Sequence, residues 1–354
     1  MEGPIKLVER LDNRDIDGAT AQLTLDFANT SHQALSLSSF DYICSVEHLF
    51  LAWENFRRGK RSRLDVLAFE RNLEENIFNL QVLLKTRRYK HGSYEPFSIC
   101  DPKQRQIHKA TVQDRLVHQL VVSAIEPLFE RTFIHDSYSC RKNKGTHAAV
   151  TRLRSFLRKA SKNNSRVVYA LKLDIHRFFA SVDHQILIAF LRKQINDPKT
   201  LQLLDEILGS HCITPGKGMP LGNLTSQLFA NVYMHELDWF IKHKLGIKFY
   251  LRYCDDFIIV NDNRQELVNT VQPIADFLES KLKFRIHPHK ITIRSWSQGI
   301  DFLGYVSKPH CTLLRTKTRR RLITKVDANN ISSYLGLCSH ANTYRLRQLI
   351  LTKI

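Results

Sequence analysis

The sequence predicts an α+β fold, and three observations carry that expectation. Apolar residues recur at spacings of three and four over long stretches, as in Leu116, Val117, Leu120, Val121, Ala124, Ile125 and Leu128, and again in Leu224, Leu228, Val232, Leu237 and Ile241, which marks helices buried along one face. Between such stretches stand short runs of β-branched and aromatic residues, at 166–174 and 249–260. The second run is interrupted only by Asp255-Asp256, and two residues between two strand-forming runs is hairpin spacing, so the strands pair antiparallel with close sequence neighbours.

Taken in order, residues 1–45 mix charged and small polar residues without a sustained period and read as an N-terminal extension. From 45 to 88, Leu49, Trp53, Phe56, Leu67, Leu73, Ile77, Leu80 and Leu84 predict two helices joined by the basic turn Arg57-Arg58-Gly59-Lys60-Arg61. Residues 94–100 alternate as a strand does, and Asp101-Pro102-Lys103-Gln104-Arg105 then turns the chain into a second strand, with Lys103 and Arg105 at the tip. A helix over 114–129 is expected to end near Pro127. Residues 166–174 form an almost unbroken β run, hence a central strand with Asp174 at its end. A glycine-rich loop, Gly216 to Asn223, leads into a long helix that Asn223 or Thr225 could cap. Helical spacing returns over 267–284, a short strand surrounds Gly304 at 300–306, and the last 44 residues, with nine Lys or Arg against the single acid Asp327, predict a basic, mostly helical tail.

The composition limits the function. In 354 residues, 43% hydrophobic and 10% aromatic content excludes a disordered or fibrous chain. Lys plus Arg number 53 against 34 Asp plus Glu, a net charge of +19, which points to an anionic partner and first of all to nucleic acid. Ten of those cations and no acid fall within 141–172, a pattern expected of a phosphate-facing surface. The seven cysteines are never closer than 27 positions, which removes every CxxC spacing. Together with the lack of a signal-peptide pattern, this predicts reduced thiols and a cytoplasmic location. The longest apolar stretch is broken by His118 and Gln119, so no membrane is implied. His108, His118, His135 and His147 lie in no ligand spacing and read as core or surface residues.

The chemistry rests on Asp174, Asp255 and Asp256. Carboxylates at buried strand ends cost several kcal/mol each unless a cation or hydrogen bonds compensate. If the strand ending at Asp174 lies beside the 249–260 hairpin, Asp174 and Asp255 face one point, where two Mg²⁺ ions ~3.5 to 4 Å apart would satisfy them. That arrangement suits nucleotidyl transfer.

In order along the chain stand a basic hairpin, a strand ending in Asp, a glycine-rich loop with its helix, and Tyr253-Cys254-Asp255-Asp256. With that order, residues 50–350 resemble a reverse transcriptase of the right-handed palm, fingers and thumb type. The resemblance implies a polymerase fold with an antiparallel palm sheet, mixed fingers (46–165), a palm (166–306) and a small helical thumb (307–354). It implies dNTP substrates, two Mg²⁺ ions, template RNA and an RNA/cDNA hybrid. Leu173-Asp174-Ile175-His176-Arg177-Phe178-Phe179 is similar to the first palm motif, so the implied metal set is Asp174 with Ile175 beside it, Asp255 and Asp256. Phe179 is implied to lie under the deoxyribose, Lys103 and Arg105 to hold the triphosphate, and residues 300–305 to form the primer grip.

One loop departs from the common pattern. Most reverse transcriptases carry Gln-Gly and, three residues on, Ser-Pro. This chain has Leu221-Gly222-Asn223-Leu224-Thr225-Ser226-Gln227. Leu221 and Gln227 around Gly222 resemble the enzymes of diversity-generating retroelements, as do Ser137 to His147 and Ser339 to Thr343. That resemblance implies adenine-mutagenic cDNA synthesis, a structured template RNA and a small basic accessory protein oligomer. An antiphage-defence or group II intron-like reverse transcriptase is the nearest alternative. A metal-dependent phosphodiesterase is a further alternative from another class, and a non-catalytic RNA-binding scaffold has no need of all three aspartates.

Overall fold

The computed structural model describes residues 39–100 and 104–352. In chain order the described elements are α1 (Phe40–Ile43), α2 (Val46–Arg57), α3 (Leu64–Arg71), α4 (Leu73–Lys85), β1 (Glu95–Ile99), β2 (Arg105–Lys109), α5 (Val112–Glu130), α6 (Thr146–Ala160) and β3 (Tyr169–Asp174). Then come α7 (Phe178–Ser181), α8 (His184–Arg192), α9 (Pro198–Gly209), α10 (Leu224–Trp239), a π-helix (Phe240–Lys244), β4 (Tyr250–Tyr253), β5 (Asp256–Asn261), α11 (Arg264–Leu282) and a short 3₁₀ turn (Pro288–Lys290). The last are β6 (Thr292–Ser295), β7 (Ile300–Phe302), β8 (Tyr305–Ser307), β9 (Thr312–Leu314), α12 (Thr316–Lys325), α13 (Ile331–Cys338) and α14 (Tyr344–Leu351). The mixture of helices with antiparallel sheets is the α+β class read from the sequence.

The described chain divides into two compact units. The first takes the residues up to Lys90, Val112–Arg131 and Gln194–Leu204, and is helical. Its core is Leu49, Trp53, Ile77, Leu80, Leu116 and Leu120, all buried, with Trp53 stacked on Phe69 at 5.0 Å. Three helices, not the expected two, cover 45–88: Asn72, at φ −119°, ψ 43°, breaks the second in two. Helix α5 also runs on through Pro127 to Glu130. Proline removes one backbone hydrogen bond there, and the burial of Leu128 and Phe129 beyond it keeps the turn helical.

The second unit holds His91–Thr111, Thr132–Lys193 and the chain from Asp205 onward. Its four-stranded sheet has the order β4-β5-β3-β6, every neighbour antiparallel, so β3 is central as its β-rich sequence requires. Leu171 and Leu173 of β3 and Phe257 and Ile258 of β5 are fully buried. The hairpin β1-β2 stands apart as a two-stranded sheet with Ile99 opposite Arg105. Residues 300–306 are not one strand but two, β7 and β8, joined by Leu303 and Gly304 at φ +51° and +90°, which with β9 make a third sheet. The basic tail is helical as expected, in α12 to α14, and packs Leu322, Cys338, Leu346 and Ile350 into one core with α6, β4 and β5.

Candidate active site

Strands β3 and β5 pair so that Asp174 and Asp256 are Cα partners, which puts them on one face of the sheet with Lys172 two residues back on the same face. The hairpin turn consists of Cys254 and Asp255, with Cys254 at φ +57°. Asp256 is therefore the first residue of β5 and not part of the turn, because pairing with Tyr253 and Asp174 on either side draws it into the ladder.

Burial raises the Asp255 carboxyl above the usual carboxylate range, and the charge of Asp174 raises it further. Burial likewise pushes Asp256 up to about 6, against the pull of Lys172. The Lys172 ammonium lies 3.0 Å from one Asp256 oxygen, and the other oxygen is buried without a partner. Lys290, at 2.6 Å, is ion-paired with Asp174. Among the described residues, no three acidic, histidine or cysteine side chains form a ready-made metal cage. The structure instead offers Asp174 and Asp255 to one cavity while Lys172 engages Asp256. These all-oxygen donors fit a hard divalent cation, since the Asp174 charge adds to the cost of ionising the buried Asp255 until a cation intervenes.

The cavity has a volume of about 660 Å³. Phe179, Leu221, Gly222, Gln227 and Arg105 line it together with all three aspartates. Phe179 is half-buried in α7, its ring edge-on to Phe178 at 5.1 Å and its carbonyl accepting from the Met219 N–H at 2.8 Å. The Leu221 carbonyl accepts from the His108 N–H at 3.0 Å, tying the glycine-rich loop to β2. Gly222 is required there twice over: its φ is +108°, and a Cβ would come within 2.7 Å of the Ile107 side chain. Asn223 is the N-cap residue of α10 by position, but its side chain makes no capping bond. Gln227 is exposed on the first turn of that helix. Ile175 is buried and bridged to Ile286, which leaves only its main-chain carbonyl as a donor. Arg105 opens β2, whereas Lys103 lies outside the described residues.

Two groups of functional residues escaped the reading of the sequence. One is Lys290, in an unremarkable basic stretch. The other is Arg252, wholly buried inside β4. Its guanidinium donates to both oxygens of the equally buried Asp238, at 2.8 and 2.6 Å, and to the Ser137 hydroxyl and the Cys254 carbonyl, each at 3.0 Å. Tyr250 donates to the same Asp238 at 2.6 Å. Burial alone would disfavour the charge on Arg252, but Asp238 holds the guanidinium above the ordinary arginine range. The backbone of Arg252 also bonds Asp136 and Tyr138, at 2.9 Å each. The peptide leading into Asp255 is thus held by the guanidinium of a residue whose own backbone is tied down on the strand. A charged residue inside an apolar strand, matched by an aspartate in a buried helix, was the available signal.

Residues 90–307, well over half of the chain, match the family described as reverse transcriptase (RNA-dependent DNA polymerase). The chain is similar to the protein YkfC of Escherichia coli K12, 24% identical over 241 residues that cover 57% of this chain and 63% of that one. It is equally similar to the group II intron-encoded protein LtrA of Lactococcus lactis, 24% identical over 271 residues, covering 57% and 44%. An uncharacterized 91 kDa protein in the cob intron of Schizosaccharomyces pombe is 28% identical over 158 residues, covering 43% and 18%. Among solved structures, the telomerase of Candida albicans in complex with a fragment of telomeric RNA aligns at 10% identity with a TM-score of 0.49, over 76% of this chain and 56% of that one. The chain spans less than two thirds of the length of each of these proteins. With the match from 90 to 307 running through the β1-β2 hairpin, β3 and the Tyr253-Cys254-Asp255-Asp256 turn, the chain belongs to the reverse transcriptase family.

Proposed function

We propose that this chain is an RNA-directed DNA polymerase that extends a primer along template RNA by adding deoxynucleotides, with Mg²⁺ held by Asp174 and Asp255. The observation that carries the reading is one cavity bringing these two carboxylates together with Phe179, Leu221, Gln227 and Arg105. Bound Mg²⁺ would activate the primer hydroxyl and neutralise charge developing on the triphosphate. Arg105 would pair with that triphosphate from the hairpin side, a role proposed for Lys103 as well, Phe179 would bear on the sugar, and the Ile175 carbonyl would complete the metal set. Asp256, held by Lys172, would add negative charge without leaving the strand. Single-nucleotide extension on an RNA template tests this. Asp255→Asn is expected to fold normally and lose Mg²⁺-dependent addition by at least ~10³-fold, and near-normal extension by the folded variant would overturn the assignment.

We further infer the diversity-generating retroelement type, producing adenine-mutagenic cDNA in the cytoplasm with a small basic accessory oligomer. Leu221 in the cavity wall supports it, since a leucine there offers no side-chain hydrogen bond. Among the described residues no helix is long and apolar enough to cross a membrane, which is compatible with that location. A group II intron-like role is the second reading, supported by the similarity to an intron-encoded protein. Sequencing the RNA that copurifies with the chain, and any cDNA joined to it, separates them: a retroelement template with adenine-directed errors supports the first, an intron RNA the second.

A further inference from the structure

Half of the acid-free basic run lies away from the catalytic end of the sheet. Asp174, Tyr253 and Asp256 occupy one end of β3, β4 and β5, and Tyr169, Tyr250 and Asn261 the other. On the six-residue strands that is five steps, or ~17 Å at the usual rise. Helix α6 begins at the catalytic end, where the Thr146 hydroxyl donates to the Tyr253 hydroxyl at 3.3 Å. It finishes beyond the far end, where Lys159 and Lys162 line a cavity of about 600 Å³ together with Lys248 and Asn261.

Two unusual backbone segments frame this cavity. The turn after α6 places three consecutive non-glycine residues, Lys162, Asn163 and Asn164, at φ +48°, +58° and +71°. It is held by the Asn163 N–H donating to the Arg158 carbonyl at 2.9 Å and by the Asn164 N–H donating to the Ser161 hydroxyl at 3.0 Å. A left-handed conformation costs of order 1 kcal/mol or more at a residue such as Lys162 and less at asparagine, which visits that region readily. The π-helix, closed by the Leu245 N–H to the Phe240 carbonyl at 3.0 Å, leads directly into residues 245–249, which also line the cavity. Such π segments recur at functional sites.

Cations outnumber acids in the lining, with Lys159, Lys162 and Lys248 against Asp262 and Glu266. Arg158, Lys159, Lys162, Lys244 and Lys248 are exposed, and among the described residues Lys159, Lys162 and Lys248 pair with no acid. Of the two lining acids, Asp262 is matched by Arg166 at 3.6 Å, and Glu266 is turned to the amides of Asn261 and Asn263 at 2.8 and 3.2 Å, which leaves the lysines in excess. Lysine is depleted at protein interfaces, whereas clustered lysines beside exposed amides are the means of neutralising and orienting phosphates. We propose that this cavity is a second RNA-phosphate site, which anchors a structured RNA outside the catalytic cavity.

The test compares wild type with Lys159→Gln/Lys162→Gln/Lys248→Gln. The probe is a fluorescein-labelled RNA hairpin carrying no annealed primer, followed by anisotropy over a salt series. If each lysine neutralises one phosphate, the log–log salt slope becomes shallower by ~2 to 3, and affinity at ~0.1 M salt falls roughly 100- to 500-fold while converging at high salt. Extension of a short annealed template and primer, measured on the same preparation, stays at the wild-type rate, so failure of this site is distinguishable from failure of the polymerase reading. Lys193→Gln/Lys281→Gln/Lys283→Gln, which removes the same charge elsewhere on the unit, is expected to change the slope far less. Equal losses from the two triples would mean net charge alone and overturn the proposal. An unchanged slope in the first triple overturns it too, including the case in which that variant loses an acidic protein instead.

Discussion

Removing Asp238 strands the one fully buried guanidinium among the described residues. In Asp238→Ala, Arg252 keeps its contacts to the Ser137 hydroxyl and the Cys254 carbonyl but has no counterion, and Tyr250 loses its acceptor. Breaking a buried pair from one side costs about 3 to 5 kcal/mol, because an uncompensated charge stays in the interior. For a unit of this size each kcal/mol lowers Tm by ~2 to 4 °C, so the expected fall is roughly 6 to 20 °C. Replacing both members, Arg252→Met with Asp238→Leu, removes the stranded charge and should recover most of that loss. The two variants part company on metal binding. Without Arg252 the Cys254 carbonyl is no longer gripped, so the double variant, although folded, should bind Mn²⁺ roughly tenfold more weakly, as read by electron paramagnetic resonance without substrate. A melting point of Asp238→Ala within ~2 °C of wild type, or a double variant less stable than either single one, would refute the reasoning.

Phe179→Ala opens the cavity wall where the sugar is proposed to lie and should admit ribonucleotides; equal exclusion by wild type and variant in single-nucleotide assays would assign the gate elsewhere. Leu221→Gln supplies one hydrogen bond of ~0.5 to 1.5 kcal/mol and should lower adenine-directed misincorporation by roughly 2- to 13-fold, measured by deep sequencing of cDNA from one template. Burial holds the His48 imidazole below its ordinary 6.5, so it stays neutral in the fold and protonates more readily once unfolded. The stability this provides is complete above ~6.5 and is lost as pH falls, by up to about 1.4 kcal/mol per pH unit. His48→Gln should flatten that acid limb in denaturant titrations, and an unaltered limb would exclude His48 as its source.

The central strand, the Tyr253-Cys254-Asp255-Asp256 hairpin and the long helix after the glycine-rich loop were legible because each is a local pattern: a β-rich run, a two-residue gap, a period near 3.6. What was hidden depends on partners far along the chain. Asp256 looks like a turn residue until β3 is set beside it, and residues 300–306 look like one strand until Leu303 takes a positive φ that nothing in its side chain advertises. Asn72 ends a helix inside a continuous apolar period, and Pro127 fails to end one because burial beyond it outweighs a single lost hydrogen bond. Arg252 and Asp238 are each ordinary alone and acquire meaning only as a pair.

The two carboxylates proposed to hold the metal are mounted differently. Asp174 ends a strand bonded along both edges, a fixed anvil, whereas Asp255 rides on a two-residue turn that a single guanidinium clamps from beneath. With β3 held along both edges, a main-chain adjustment of their spacing falls to the Cys254-Asp255 turn. The main chain of the site is thus restrained at its turn by a side chain that never touches solvent.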